Sequence, residues 1–140
     1  MTVQAYSTKS KKLPGTNYSE VYKKAFRLFA QIKRRSKRRP YIRSAYFKKD
    51  KIFLGLFWHH LHEKFSLNDR TRRLKYFPCA LELIQKTRFD PTSKENPNTK
   101  SEILHRFTGT TAEKEIFFVQ IKEDKKTGEK YLISIFPFNI

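Results

Sequence analysis

Apolar residues first recur at helical spacing just after residue 17. This apolar set is Val21, Ala25, Leu28, Phe29 and Ile32. Residues three and four positions apart share one face of a helix, so the set predicts an amphipathic helix that packs on a core. Asn17 or Ser19 is placed to cap its first turn. Pro40 must end it, because proline lacks the amide hydrogen that a helix interior needs.

Two more helical patterns follow. Asp50 is placed to cap the first of them, which runs to about His62. Its apolar residues are Ile52, Leu54, Phe57, Trp58 and Leu61. Asn68 or Asp69 opens the second helix. Its apolar residues are Leu74, Phe77, Leu81 and Ile84. Pro78 lies inside this second pattern and predicts a kink or a break.

Alternating and β-branched patterns predict strands. Residues 41–47 alternate aromatic side chains with small or charged ones, as a strand does. The strongest strand patterns come last, at residues 102–108, 115–122 and 130–136. A polar segment with Gly128 separates the last two strands and predicts a hairpin loop. Residues 89–100 contain two prolines and many polar side chains, so we expect a loop there.

The order of these elements predicts an α+β fold, in which N-terminal helices pack on a small C-terminal antiparallel β-sheet. A chain of 140 residues is the size of one ordinary domain. Residues 1–16 are polar and predict a flexible basic leader, which leaves residues 17–140 as the domain. The residues expected to share one core are Phe57, Trp58, Leu61, Phe77, Leu81, Phe118 and Ile133.

The charge of the chain indicates a polyanionic partner. The sequence has 31 basic and 13 acidic residues, a net charge of +18 and a pI near 10.2. Residues 1–70 hold 18 of the basic residues but only four of the acidic ones, so the first half should make most of the contact. Aromatic residues make up 15% of the chain, which is typical of a folded protein rather than of a disordered basic tail.

A run of basic residues between the first helix and the first strand is the clearest candidate for contact with nucleic acid. These residues are Lys33, Arg34, Arg35, Lys37, Arg38 and Arg39, with Arg43 just beyond. We expect them to contact backbone phosphates, because their density exceeds what solubility requires. The alternatives are a solvated face and a membrane-surface role. A DNA-reading helix is a weaker interpretation, because the charge lies at the end of the helix.

Several protein classes are excluded or disfavoured by the sequence. The single cysteine, Cys79, excludes an internal disulfide and lies in an apolar run, so we expect it to be buried. The longest apolar stretch, residues 52–58, is too short to cross a bilayer, and we expect a cytoplasmic protein with no membrane partner. No paired-carboxylate motif such as DxD stands out, and no GxSxG or HExxH motif occurs, so we expect no metal and no cofactor.

The histidines and the polar residues of the late strands are the candidate chemical groups. His59, His60 and His62 crowd one helical turn, which fits a polar flank, a metal site with further ligands, or an acid–base group in a cleft. Residues of the strands supply a second polar set, Arg106, Thr108, Gln120, Lys122 and Ser134. If they share one face of the sheet, that face is either plainly solvated or suited to bind phosphate.

Five stretches of the sequence carry a resemblance to a known superfamily. They are residues 57–61 (FWHHL), 69–84 (DRTRRLKYFPCALELI), 105–109 (HRFTG), 117–123 (FFVQIKE) and 131–137 (YLISIFP). They resemble small phage- and mobile-element-encoded proteins of the nuclease superfamily that includes barnase, EndoU, colicin D-type tRNases and RelE-type toxins. The resemblance covers about residues 40–138.

The resemblance implies a metal-independent ribonuclease acting on tRNA or mRNA, in which the RNA 2′-hydroxyl attacks the adjacent phosphate. It implies His60 as the acid–base group and Arg106 as the phosphate clamp. Ser134 would hold a phosphate and Phe136 a base, and His105 is the candidate for a second catalytic histidine. Further RNA contacts are expected from Arg72, Arg73, Thr108 and Lys122. If the nuclease acts as a toxin, a cognate inhibitor protein is a second partner. The alternative is a non-catalytic RNA-binding or protein-interaction module on the same fold.

Overall fold

The computed structural model of the protein describes residues 4–36 and 38–138. The helices of this part of the chain are α1 (Tyr18–Arg35), α2 (Gly55–Lys64), α3 (Leu67–Lys75) and α4 (Phe77–Lys86). The strands are β1 (Tyr6–Ser7), β2 (Tyr41–Arg43), β3 (Lys51–Phe53), β4 (Thr92–Asn96), β5 (Thr99–Thr110), β6 (Ile116–Asp124) and β7 (Lys130–Pro137). The prediction of a mixed α+β fold is confirmed.

One seven-stranded sheet contains all of the described strands, in the order β1-β5-β6-β7-β3-β2, with β4 also paired to β5. The run from β4 to β7 is antiparallel, as predicted for the late strands. However, β1 pairs with β5 and β3 pairs with β7 in parallel. The prediction of a small, purely antiparallel C-terminal sheet is therefore incomplete, because strands from the first half of the chain add to both sides of the sheet.

Helix α1 forms as predicted. The Asn17 side chain accepts a hydrogen bond from the backbone N–H of Glu20 at 2.9 Å and caps the first turn, so Asn17 rather than Ser19 is the cap. The apolar face of α1 is buried, through Val21, Ala25, Phe29 and Ile32. At the other end, the Ser36 hydroxyl donates to the Ile32 carbonyl at 2.9 Å, which satisfies one of the carbonyls that the last turn leaves unpaired.

The prediction that Asp50 caps a helix is wrong. Residues 51–53 form strand β3, and α2 begins only at Gly55. Ile52 and Leu54 are fully buried at alternate positions, which is the spacing of a strand, and only Leu54, Phe57, Trp58 and Leu61 keep helical spacing. Asp50 instead accepts a hydrogen bond from the Lys130 ammonium at 2.8 Å and so ties the turn before β3 to the start of β7.

The predicted break at Pro78 is confirmed. Helix α3 ends before Tyr76, and α4 starts there with Pro78 in its first turn, where a missing amide hydrogen costs nothing. The cap of α3 is Ser66, whose hydroxyl oxygen accepts from the Asp69 N–H at 3.3 Å, rather than Asn68 or Asp69. The two short helices can therefore change direction and cover the sheet separately.

Two segments differ from their predicted structure. Residues 89–100 contain an exposed edge strand, β4, which pairs with β5, instead of a plain loop. Its side chains are polar because none of them reaches the core, so hydrophobic alternation gives no signal. The strand expected over residues 41–47 stops at Arg43, and the turn that follows places Lys48 and Lys49 at positive φ angles of 55° and 70°.

The core lies between the helices and one face of the sheet. Phe57, Trp58, Leu61 and Phe77 are buried there as predicted, and Leu81 packs against the core while remaining partly exposed.

The assignment of Phe118 and Ile133 to the core is wrong, because Phe117, Leu132 and Ile135 are buried instead. In β6 two adjacent phenylalanines, Phe117 and Phe118, leave the sequence pattern unable to show which of them faces the core. In β7 the pairing register shifts by one residue opposite Gln120, so Ile133 is the extra residue of a β-bulge.

The segment predicted as a flexible leader lies against the domain from Tyr6 onward. The Tyr6 hydroxyl donates to a Glu82 carboxylate oxygen at 2.8 Å, and the backbone N–H groups of Lys9 and Ser10 donate to the same carboxylate. The Leu13 N–H donates to the Lys75 carbonyl at 2.9 Å. This polar segment is therefore attached to the domain by hydrogen bonds to the Glu82 carboxylate, and it is not a flexible leader.

These contacts predict an acid-sensitive contribution to stability. Burial raises the pKa of Glu82, but the hydrogen bonds from Lys9, Ser10 and Tyr6 outweigh it and hold the pKa below its usual value. The contribution is therefore present at neutral pH and is lost as the pH falls through the lowered pKa. We expect Glu82→Gln to cost about 1–2 kcal/mol at neutral pH in thermal unfolding, with the difference from wild type shrinking as the pH falls through the lowered pKa of Glu82. The exposed Glu113→Gln is the control, and a Glu82 effect that persists unchanged in acid would contradict the assignment.

Candidate functional site

One face of the sheet, opposite the core, carries polar and aromatic side chains in cross-strand rows. Arg106 of β5 pairs with Gln120 of β6, which pairs with Ser134 of β7. Paired residues point to the same side of a sheet, so these three side chains share a face. The rows on either side are Thr108–Phe118–Phe136 and Leu104–Lys122–Tyr131. We call this surface the outer face. It brings together the late-strand residues that the sequence predicted would share a face.

Arg106 lies among aromatic rings on the outer face. Its guanidinium carbon is 5.7 Å from the ring centroid of Phe118 and 5.6 Å from that of Phe136. The two rings are 5.2 Å apart, and Phe138, which is 61% exposed, continues the cluster at 6.1 Å from Phe118. A guanidinium beside partly exposed rings can bind a phosphate while a base stacks next to it.

Arg73 of α3 reaches the same surface from the side. Its Nη1 donates to the Ser134 hydroxyl oxygen and to the Ile135 carbonyl, both at 3.2 Å. Its guanidinium also lies over the Phe65 ring at 3.8 Å. Burial lowers the pKa of Arg73, but an arginine begins far enough above neutral pH to remain charged. The sequence predicted only that Arg73 contacts RNA, whereas the structure fixes its positive charge beside Ser134.

A groove of about 310 Å³ lies between the end of α2 and the outer face. Its lining residues are His60, Phe65, Asn96, Glu102, Leu104, Lys122, Ile133 and Ser134. We call it the His60 groove. The Glu102 carboxylate accepts a hydrogen bond from the Asn96 amide at 2.9 Å and lies 3.4 Å from the Lys122 ammonium. The groove therefore collects an imidazole, a carboxylate, an ammonium and a hydroxyl, a set that can move protons and bind a phosphate.

Glu102 is the groove residue that sequence reasoning missed. A signal for it exists, because Glu102 lies four positions before Arg106 in one strand and so shares its face. The β-bulge at Ile133 also matters here, since Ile133 and Ser134 both line the groove.

His105, the candidate for a second catalytic histidine, does not line the His60 groove. Neighbouring residues of a strand face opposite sides, and His105 is buried on the core side of β5. Its Nδ1 lies 2.6 Å from the Ser93 hydroxyl and its Nε2 lies 2.7 Å from a Glu123 oxygen. The Phe47 ring packs across it at 5.0 Å. His105 thus joins the edge strand to the sheet as a buried hydrogen-bonding residue.

The basic run at the end of α1 is exposed where it is described. Lys33, Arg34 and Arg35 occupy the last helical turn, and Arg38 follows, while Lys37 lies outside the described residues. Arg39 has a defined place, because its Nη2 forms an ion pair with Glu129 at 2.8 Å. That hydrogen bond raises the pKa of Arg39.

Basic side chains also surround a larger cleft of about 920 Å³ beside the edge strand β2. Its cationic residues are Arg35, Arg43, Lys48, Lys49, Lys86 and Arg88. Among the described residues that line it, none is acidic. We call it the basic cleft. Lys86 and Arg88 come from the end of α4, so the cleft gathers cations from both halves of the chain. An anion with several phosphates matches this surface.

The other candidates of the sequence have ordinary surroundings. His59 pairs with Glu63 at 3.0 Å on the exposed side of α2, and Arg72 lies 3.6 Å from Asp69 on α3. Across residues 4–36 and 38–138, no three His, Cys, Asp or Glu side chains are grouped as metal ligands would be. Cys79 is buried, as predicted, and burial raises the pKa of its thiol to about 11. None of the described helices has the length and apolar character needed to cross a membrane.

Comparison with known proteins finds no family model, curated protein or solved structure that matches the chain. The resemblance to the nuclease superfamily, and the barnase-like form of the fold that it implies, therefore stay predictions.

Proposed function

We propose that the protein is a metal-independent ribonuclease that binds RNA on the outer face and cleaves it in the His60 groove, on a barnase/EndoU/RelE-like α+β fold. The observation that carries this proposal is the groove itself, where His60 of α2 and Ser134 of β7 line one cavity with Glu102 and Lys122. These groups come from distant parts of the sequence, and together they match the needs of one reaction.

In the proposed reaction, the Glu102 carboxylate takes the proton of an RNA 2′-hydroxyl. The 2′-oxygen attacks the adjacent phosphorus, and protonated His60 gives its proton to the departing 5′-oxygen. The products are one strand with a 2′,3′-cyclic phosphate and one with a free 5′-hydroxyl. The chain's own carboxylate and imidazole, which line one cavity, thus serve as base and acid.

Positive charge around the groove would stabilise the negative charge of the transition state. Lys122 lines the groove, and Arg73 lies against Ser134 with a guanidinium already oriented by two hydrogen bonds and by the Phe65 ring. Arg106 pairs with Gln120, which in turn pairs with Ser134 at the groove. From that position Arg106 would hold the phosphate of a neighbouring nucleotide. An inhibitor protein for such an enzyme would be an acidic one that covers the outer face.

Incubation of the purified protein with tRNA and with mRNA in EDTA tests the proposal. We expect cleavage of RNA without added metal, and we expect Arg106→Lys to slow it about tenfold, because an ammonium cannot form the paired hydrogen bonds of a guanidinium. The exposed Arg27→Lys on α1 is the matched control and should cleave like the wild type. RNA that is bound but never cut would instead favour the non-catalytic RNA-binding module.

Binding to RNA should depend strongly on salt. If about six phosphates are neutralised, the logarithm of the binding constant should fall against the logarithm of salt concentration with a slope of about −4 to −5. Replacing Arg34, Arg35 and Arg38 by Gln should make that slope shallower. It should also weaken the binding of RNAs of different sequence equally, because contacts to phosphates do not distinguish the bases. A titration that shows no salt dependence would remove the electrostatic account.

A further inference from the structure

A row of aromatic residues crosses the outer face from β7 to the edge strand β2. Tyr131 of β7 pairs with Phe53 of β3, and Phe53 pairs with Tyr41 of β2. Their ring centroids are 5.9 Å and 6.3 Å apart in turn. We call these three residues the aromatic row. Because all three are cross-strand partners, their side chains lie on the same side of the sheet as Lys122, the β6 partner of Tyr131.

Each ring of the row has a cation beside it. The Arg39 guanidinium lies 3.8 Å from the centroid of Phe53, and the ammonium of Lys51 lies 4.8 Å from that of Tyr41. Lys122 lies 5.4 Å from the Tyr131 ring. Arg39 is also held in place from the side, since Glu129 accepts hydrogen bonds from both Arg39 and the Tyr131 hydroxyl. The row therefore presents aromatic rings that each have a positive charge over them.

The two ends of the row meet the two cavities described above. Lys122, next to Tyr131, lines the His60 groove. Tyr41, at the other end, lines the basic cleft together with Arg43, whose guanidinium is 5.4 Å from the Tyr41 ring. A continuous surface of rings and cations thus leads from the groove to the cleft, and the cleft supplies five positive side chains besides Arg43.

We propose that the aromatic row is a binding track for single-stranded RNA, along which the strand runs from the His60 groove to the basic cleft. This inference rests on the proposed function and names its substrate class. Aromatic rings and arginine planes bind unstacked bases of any sequence, while the cations beside the rings contact the phosphates. In a duplex the bases are already stacked inside the helix, so only its phosphates could engage this surface.

The test compares single-stranded and double-stranded RNA on the same variants. A single strand of about ten nucleotides and a blunt duplex of the same sequence are titrated against Tyr41→Leu and Arg39→Gln, in the His60→Ala background so that the RNA stays intact. We expect each substitution to weaken binding of the single strand about tenfold, and Tyr41→Leu to leave duplex affinity within about twofold. Phe89→Leu, at a residue 38% exposed, and Arg27→Gln are the matched controls and should bind both forms as the parent does.

The outcomes separate the track from the proposed function. Equal losses of single-strand and duplex affinity in Tyr41→Leu would overturn the track, because the row would then act only through charge or through the fold. Unchanged affinity of Tyr41→Leu for the single strand would also overturn it, and cleavage of RNA by the wild type in EDTA would leave the proposed function standing. If the protein with His60 intact neither binds nor cleaves RNA at low salt, both proposals are overturned together.

Discussion

Replacing His60 with alanine is expected to slow RNA cleavage by about 10²–10⁴-fold, the range for loss of a general acid. The imidazole lines the groove where the leaving oxygen would need a proton, and no methyl group can supply one. Single-turnover cleavage in EDTA, with enzyme in excess over RNA, measures the chemical step without product release. The affinity for RNA should change little, because the phosphate contacts remain.

His59→Ala is the matched control for this prediction. His59 lies beside His60 on α2 but faces solvent and pairs with Glu63, so its loss should leave the cleavage rate as it is. Full activity of His60→Ala would contradict the assignment of the general acid. Equal slowing by both substitutions would indicate that α2 itself had been disturbed.

Replacing Trp58 with alanine is expected to destabilise the protein by about 3–5 kcal/mol. Trp58 is only 7% exposed, and its ring centroid lies 5.0 Å from Phe29, 5.3 Å from Phe77 and 5.8 Å from Phe57. The substitution leaves a cavity among three helices that cannot close around it. Unfolding by urea, followed by far-UV circular dichroism, measures the free energy of unfolding.

Phe89→Ala is the control for Trp58, because Phe89 is exposed and should change the free energy of unfolding by only about 0.5 kcal/mol. If Trp58→Ala unfolds at the same urea concentration as the parent, the aromatic cluster between α1, α2 and α4 does not hold the helices together as the structure implies.

The helices and strands that were predicted correctly are those marked by residues close together in the chain. The cap at Asn17, the apolar spacing of α1 and the break at Pro78 each depend on residues close together in the chain, and each is found in the structure. The strands β5, β6 and β7 are long enough for β-branched and aromatic residues to mark them. Strands β3 and β4 were missed because one has only three residues and the other is a polar edge.

The phase of the strands was predicted only in part. Alternation placed Arg106, Gln120 and Ser134 on one face correctly, but it also placed Phe118 and Ile133 in the core. Where two apolar residues are adjacent, the sequence does not show which of them faces the core. A β-bulge changes the phase within a strand and leaves no mark in the sequence.

The meeting of distant residues was beyond sequence reasoning. His60 and Ser134 line one groove because α2 packs on β7. Lys86 and Arg88 line one cleft with Arg43 because α4 ends beside β2. Such contacts follow from the packing of whole elements. The sequence supplied the kinds of side chain that the site contains, whereas the structure supplied which of them lie together.

The central claim, RNA cleavage by 2′-hydroxyl attack in the His60 groove, is tested most directly with a substrate that has one 2′-deoxy nucleotide at the cut site. In EDTA, we predict that the all-ribose RNA yields fragments ending in 2′,3′-cyclic phosphate, while the substituted RNA binds with nearly the same affinity and is not cut at that position. Cleavage of the substituted RNA at the same rate, or cleavage that requires added Mg²⁺, would contradict the account.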